Sequence, residues 1–272
     1  MKWVKRILLA LLALVLLAVG VIYAWGAIII NTRYEPESRT VLTSSRPDIT
    51  SRGERLASVF GCRGCHRMDM EGGVFFEAWY AGRIVAPNLT RAVDQMSHTE
   101  LEAVIRQGVL PDGRSVFGMP SSSFAAMTDR DLSAILSFIA NYPEQDQDLG
   151  HSRYGLMARM LFILGKFPPE AANAQHSPWQ SGFVQDPLKH GEYLAINACT
   201  ECHGQDLEGQ GDFTPSLAVA KAYSREDFGQ LMSDGTGLGG RDLGLMTRMG
   251  QDRFSHLNED EVEALYQYLQ SR

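Results

Sequence analysis

The sequence predicts an all-α chain in which one membrane-length apolar helix precedes a helical unit written twice. Three observations predict it. Ile7 to Ile30 are 24 consecutive uncharged positions. Apolar stripes at helical spacing close both halves of the remainder, and almost nothing alternates with the two-residue period of a strand. Only Val74 to Trp79 resembles one.

The apolar run is long enough to span, because about 20 apolar residues cross the hydrocarbon core as a helix. Lys2, Lys5 and Arg6 stand just before it, so the basic flank places the N-terminus inside and everything after Asn31 outside. The alternative is a cleaved signal sequence, whose apolar core runs ~7–15 residues and ends in small side chains. Here the run is longer, and Tyr23, Trp25 and Ile28 to Ile30 make its far end bulky. Residues 1–30 are therefore expected to be a single-pass anchor in the inner membrane, with the soluble part on the periplasmic side.

A chain of 272 residues leaves room for two domains behind that anchor. Formal net charge is −7; three of the 25 basic residues and none of the 32 acidic ones lie in the first thirty, so the rest carries −10. Such a surface argues against nucleic acid as a partner. It suits a basic protein partner, or serves solubility alone.

The four cysteines fall in two identical frames, Cys62-Arg-Gly-Cys65-His66 and Cys199-Thr-Glu-Cys202-His203, with none left over. Cys-x-x-Cys-His is the attachment signature of c-type haem. Two thiols one helical turn apart can each form a thioether with a porphyrin vinyl group, and the adjoining histidine reaches the iron. A zinc site would want its cysteine pairs about 15–20 residues apart, whereas these lie 137 apart. A dithiol redox motif would want a βαβ setting, and a disulfide framework has no use for a histidine after each pair. The expected cofactors are two covalently bound haems c.

The motifs also expose the repeat. Gly53-Glu54-Arg55-Leu56-Ala57 precedes the first and Gly191-Glu192-Tyr193-Leu194-Ala195 the second; Pro87-Asn88-Leu89 and Pro215-Ser216-Leu217 follow them. Ser97 to Gly108 matches Ser224 to Gly235 at a constant offset of 127, which carries Gly113-Arg114 onto Gly240-Arg241. Leu132, Ile135, Leu136 and Ile139 form the closing stripe of one half, and Val262, Leu265, Tyr266 and Leu269 that of the other. Thr128-x-x-Asp131 and Asn258-x-x-Glu261 approach a capping box before each closing helix. The boundaries that follow are a tether over 31–50, a first domain over 51–142, a connector over 143–184 and a second domain over 185–272. Within the proline-rich connector, Leu156 to Phe167 is apolar with scattered basic residues. It is expected to pack between the two domains, the alternative being contact with the bilayer.

Each half resembles a class I cytochrome c domain, in which N- and C-terminal helices cross beside the haem, and the whole resembles membrane-bound dihaem cytochromes c. The resemblance implies that Gly53 and Gly191 sit at the helix crossing against Phe138 and Tyr268. It implies that the Pro87 and Pro215 carbonyls accept the proximal imidazole N–H and fix the ring, with His66 and His203 on the irons. The far ligand in this family is usually a methionine from the loop before the last helix. Met119, followed by Pro120, matches that motif. For the second haem, counting forward from Gly240-Arg241 gives Met246, and counting back from the capped helix gives Met249. Met246 is preferred because it preserves the loop register and related dihaem chains resemble this segment with methionine there. Met68 and Met70 follow His66 too closely, and Met96, Met127, Met157, Met160 and Met232 read as packing. Ligation by His98, His151, His176, His190 or His256 is the less favoured alternative.

The expected function is electron transfer, not catalysis, between a membrane or periplasmic donor and a downstream cytochrome or oxidase of a respiratory chain. One alternative is a cytochrome subunit docked in a dehydrogenase or oxidase complex. Another is a dihaem peroxidase, which would need one iron with an open position; two methionine loops argue against it.

Overall fold

The computed structural model describes residues 2–175 and 186–272. His176 and the end of the expected connector lie outside the described residues. Helix α1 (Lys2–Asn31) carries the whole apolar run, and apart from the half-buried Val19 and Ile22 its side chains are exposed as far as Gly26. The first half comprises α2 (Pro47–Val59), α3 (Cys62–His66), strands β1 (Gly73–Ala78) and β2 (Gly82–Ala86), α4 (Leu89–Gln95), α5 (His98–Glu102), α6 (Ser121–Phe124) and α7 (Asp129–Ala140). Then come β3 (Arg153–Tyr154), α8 (Leu156–Ile163) and α9 (Glu170–Gln175). The second half holds α10 (Pro187–His203), α11 (Arg225–Ser233), α12 (Leu245–Asp252) and α13 (Glu259–Ser271).

Local chemistry explains the boundaries. Pro47 and Pro187 open α2 and α10, where a missing N–H costs nothing. The Asn258 side chain accepts from Glu261 N, and the Glu261 carboxylate accepts from Asn258 N, both at 2.9 Å. That is a full capping box. Thr128 caps α7 in one direction only: its side chain accepts from Asp131 N at 3.2 Å, while the Asp131 carboxylate accepts from Arg52 at 2.6 Å and Tyr193 at 2.7 Å. The extra residue before the first cysteine pair, Gly61, adopts φ +79° and separates α2 from α3. The second half lacks it, so α10 runs unbroken through Cys199 to His203.

Both halves are built on one crossing of first and last helices. A Cβ on Gly53 would lie 1.8 Å from the Ala134 carbonyl oxygen, and one on Gly191 would lie 2.0 Å from that of Ala264. Phe138 and Tyr268 pack at the same points. A single apolar core then continues from one half into the other.

The interface repeats with near two-fold logic. Arg55 on α2 grips Glu261, the third residue of α13, through two nitrogens at 2.6 and 2.9 Å. Tyr193, its counterpart on α10, donates to Asp131, the third residue of α7, at 2.7 Å. Burial and the neighbouring carboxylate push the Tyr193 phenol far above its usual range, so it keeps the proton it donates to Asp131, while its oxygen accepts from Thr128 N at 3.4 Å.

Three findings differ from the sequence reading. A small antiparallel sheet is present: β1 pairs β2 from Gly73↔Ala86 to Ala78↔Gly82 with a bulge at Phe75, and β2 pairs β3 through Gly82↔Tyr154 and Arg83↔Arg153. The segment expected to be a tether is bound along the first domain, through Tyr34 N to Gly113 O, Glu37 N to Gln107 and Ser44 N to Ser137, with Val41 in the core; its last residues already belong to α2. Finally, α8 does not pack between the domains. It lies against the C-terminal end of α1, where Ala158 and Phe162 join Phe117 in a separate apolar cluster flanked by Ile29 and Ile30. The connector's α9 is likewise part of the first domain, its Glu170 accepting from Ser122 N and Oγ at 2.9 and 2.8 Å.

Candidate functional site: two cysteine-histidine centres and the cation between them

None of the four cysteines is paired in a disulfide, and each pair stands one turn apart on a helix. In both centres the histidine is fixed by its ring nitrogen. His66 Nδ1 lies 2.8 Å from the Pro87 carbonyl, and His203 Nδ1 lies 2.8 Å from that of Pro215. A carbonyl only accepts, so Nδ1 carries the proton and Nε2 keeps its lone pair for a metal. Burial holds His66 below the usual imidazole range, against the opposing pull of the Pro87 hydrogen bond. Its Nε2 is therefore unprotonated over the neutral range.

The sulfur environments discriminate between chemistries. Burial pushes the Cys62 thiol up to about 11 and the Cys199 thiol up to about 12; Cys65 and Cys202 are raised for the same reason. An apolar pocket that disfavours a thiolate suits an uncharged thioether. A thiolate metal site would instead need enough positive charge to overcome that burial, and the Arg253 guanidinium that acts on these thiols does not overcome it. Among the described residues there is also no cluster of three or more His, Cys, Asp or Glu side chains able to hold a bare metal ion. The donor sets therefore fit a covalently attached porphyrin iron better than zinc.

The methionines occupy distinct places. Met119 is half-buried against the core, just before α6, with its carbonyl accepting from Ser121 N at 2.8 Å. Met246 and Met249 are both half-buried on one face of α12, a turn apart, which is why counting along the sequence gave two answers. The Met249 sulfur lies 3.9 Å from Arg253 Nη1, toward the domain interface. Met70, Met127 and Met232 are buried in the core. Of the remaining histidines, His98 lies 3.3 Å from Thr43 Oγ1, His190 stacks beside Tyr193, and His151 and His256 are exposed.

One functional candidate was missed from the sequence. Arg253 is buried between the centres. Its Nε donates to Val59 O at 3.3 Å, its Nη1 meets Glu201 at 3.2 Å, and a Cβ on Gly61 would strike its guanidinium at 2.6 Å. The positive charge acts on all four thiols, drawing each pKa down against burial. The counterpart position in the first half is Ser123, whose hydroxyl lies 2.8 Å from that of Thr200 inside the second motif. In each half, the residue before the buried Phe124 or Phe254 reaches across to the other centre. That parity was the available signal.

Comparison with known proteins agrees with this chemistry. The family model described as cytochrome c matches residues 50–143 and again 188–272. The fructose dehydrogenase cytochrome subunit of Gluconobacter japonicus is 24% identical over 89% of this chain and 56% of its own length. The gluconate 2-dehydrogenase cytochrome c subunit of Pantoea cypripedii is 23% identical over 82% of this chain and 59% of its own. The chain thus spans little more than half of those two relatives. A diheme cytochrome c-type protein of Cereibacter sphaeroides is 25% identical over 85% of this chain and 86% of its own. With a matching model over both halves and a Cys-x-x-Cys-His centre in each, the chain belongs to the cytochrome c family, electron-transfer proteins that hold haem c covalently.

Proposed function

We propose that the chain carries electrons through two haems c, one per half, while anchored by α1 in the inner membrane with both halves on the periplasmic side. The observation that carries this reading is the repeated centre itself: two thiols, a histidine with Nε2 free, and a proline carbonyl 2.8 Å from Nδ1, built twice. The haem supplies the one-electron chemistry. The chain's residues attach it, orient the imidazole through Pro87 or Pro215, and keep water from the buried ring of His66. Met119 and Met246 are the sulfur ligands; the contact of Met249 with Arg253 supports Met246 over its neighbour. Retention of α1 is supported by its fit to the folded part: Gly26 is closed against the Arg159 side chain, and Arg159 Nη1 donates to Tyr23 O at 3.1 Å. The relatives that serve dehydrogenases support a sugar- or sugar-acid-oxidising dehydrogenase as donor, with this chain its docked cytochrome subunit and a later cytochrome or oxidase as acceptor.

Ligand substitution tests the carrier reading. Met119→Ala and Met246→Ala are each expected to abolish one haem's sulfur-to-iron charge-transfer band, lower that haem's potential and admit carbon monoxide to its reduced iron. The unaltered protein should bind carbon monoxide slowly and consume no peroxide. Fast stoichiometric binding together with peroxide turnover in the unaltered protein would move it to the peroxidase class. Loss of the band in Met249→Ala but not Met246→Ala would reverse the choice of ligand.

Arg253 gives a second expectation. A fixed buried cation favours the less positive, reduced state of an iron beside it. Arg253→Gln is therefore expected to lower both reduction potentials, Arg253→Lys to lower them less, and Glu201→Gln to raise them, as read by spectroelectrochemical titration. Shifts of the same sign in Arg253→Gln and Glu201→Gln would refute an electrostatic role.

A further inference from the structure

Among the described residues, an unpartnered apolar surface surrounds the point where α1 meets the folded part. Helix α8 and its C-cap expose Met157, Met160 and Leu164, spaced i, i+3, i+7 and so aligned on one face, with Leu164 63% exposed. Beside it stands the β1–β2 hairpin, whose tip carries Trp79 at 95% exposure and Tyr80, with Phe75 and Phe76 also exposed on β1. The hairpin and the helix are joined by backbone: Gly155 N donates to Ala81 O at 2.8 Å and Met157 N to Tyr80 O at 3.1 Å. Scattered apolar side chains on a surface are ordinary; a contiguous group of aromatic, methionine and leucine side chains calls for an occupant.

The packing of α8 on α1 identifies that occupant. The uncharged run of α1 is about 36 Å long at ~1.5 Å per residue, against a hydrocarbon core of about 30 Å. Its last turn, about Ala27 to Ile30, therefore emerges from the core, and Tyr23 and Trp25 lie just inside the boundary where aromatic side chains collect. At that level α8 is fastened: Arg159 covers Gly26, donates to Tyr23 O and places its guanidinium 4.9 Å from the Tyr23 ring centroid. Ile29 and Ile30 pack with Phe117 and Phe162. An element clamped to α1 at the boundary cannot stand clear of the lipid. Basic heads nearby, Arg153 and Lys166, suit the phosphate layer.

We infer that α8 and the Trp79–Tyr80 hairpin tip form a monotopic foot that inserts into the headgroup and upper acyl region of the bilayer crossed by α1. The foot fixes the first domain at a set height and orientation instead of leaving it to swing on a flexible stalk. This rests on the reading of α1 as an anchor, and the test separates the two.

The haem-loaded full chain is placed in nanodiscs of phosphatidylethanolamine and phosphatidylglycerol doped with a lipid bearing a diazirine near the top of the acyl chain. After photolysis, adducts are mapped by peptide mass spectrometry. Adducts are expected on α1, on the peptide holding Phe75 to Tyr80 and on that holding Met157 to Leu164, each several-fold above the peptide of exposed Phe213 in the second domain. The double substitution Met160→Glu, Leu164→Glu should lower hairpin labelling and leave α1 labelling unchanged. Labelled α1 with both other peptides at the Phe213 level would overturn the foot while the anchor stands, leaving the face to a protein partner. An unlabelled α1 would overturn the anchor and the foot with it.

Discussion

Replacing Cys199 and Cys202 together by alanine is expected to halve the covalent haem content of the chain and leave the first centre loaded. Each centre has its own helix, its own histidine and its own proline carbonyl, and no cysteine serves both. Loss of both thioethers removes the covalent tether. On the proposed ligation the remaining His203 would hold iron by one reversible bond, which denaturation would break. Pyridine haemochrome assay of denatured, acetone-washed protein measures the effect, and Cys62→Ala with Cys65→Ala should give the same half value. Unchanged content in either variant would mean that the frame altered does not attach haem. The variant should also lack one of the two waves that the fully loaded protein shows in a redox titration, which a partial loading defect common to both centres would not produce.

What could be read in advance follows from which interactions are local. Two thiols and a histidine must lie within one turn to meet one porphyrin edge, so Cys62 to His66 and Cys199 to His203 announce themselves. The closing stripes at Leu132–Ile139 and Val262–Leu269 are legible for the same reason: helical periodicity is a property of neighbours. The Gly53 and Gly191 crossings became legible only through family resemblance, because nothing local in a glycine says what passes over it. The sheet was missed because β2 and β3 are short and their pairing, Arg83 with Arg153, spans 70 positions of chain. Residues 31–50 looked like a tether because they are polar, yet α2 begins at Pro47 and the backbone donors of Tyr34, Glu37 and Ser44 are satisfied by Gly113, Gln107 and Ser137. Polarity predicted exposure, and hydrogen bonding decided otherwise. The interface was hidden differently. Arg55 and Tyr193 occupy one repeat position with unlike chemistry, and only the equivalence of Asp131 and Glu261 as third helical residues shows that both reach for the same kind of partner. Arg253 was overlooked because its counterpart is a serine, so the charge breaks the repeat it belongs to.

Gly191→Ala is expected to cost the second domain about 3 kcal/mol or more, toward the upper end for forcing extra volume into a packed core. The added methyl would lie 2.0 Å from the Ala264 carbonyl oxygen, 2.6 Å from its carbon and 2.7 Å from the Tyr268 Cβ. Two of these are backbone atoms of α13 and cannot turn aside, so α10 and α13 must separate along their whole contact. That separation pulls on three things at once. The core leucines Leu194, Leu265 and Leu269 lose contact, the Tyr193 bond to Asp131 lengthens, and α10 carries the displacement directly into Cys199 and His203 because the helix is unbroken. Gly53→Ala is expected to be as damaging to the first crossing, where the clash is 1.8 Å. Its effect on Cys62 and His66 should be smaller, because Gly61 breaks the helix between crossing and centre. Gly20→Ala on α1, with nothing within 4 Å of its added methyl and no part in either centre, serves as the control and should be neutral. Guanidinium titration of the haem-loaded protein, followed by the Soret band and by far-ultraviolet circular dichroism, reads both quantities. A Gly191→Ala protein that unfolds at the midpoint of the unaltered protein and keeps its second redox wave unmoved would show that the helices are not held at this distance, and with them the rigid link from the crossing to the second centre would fall.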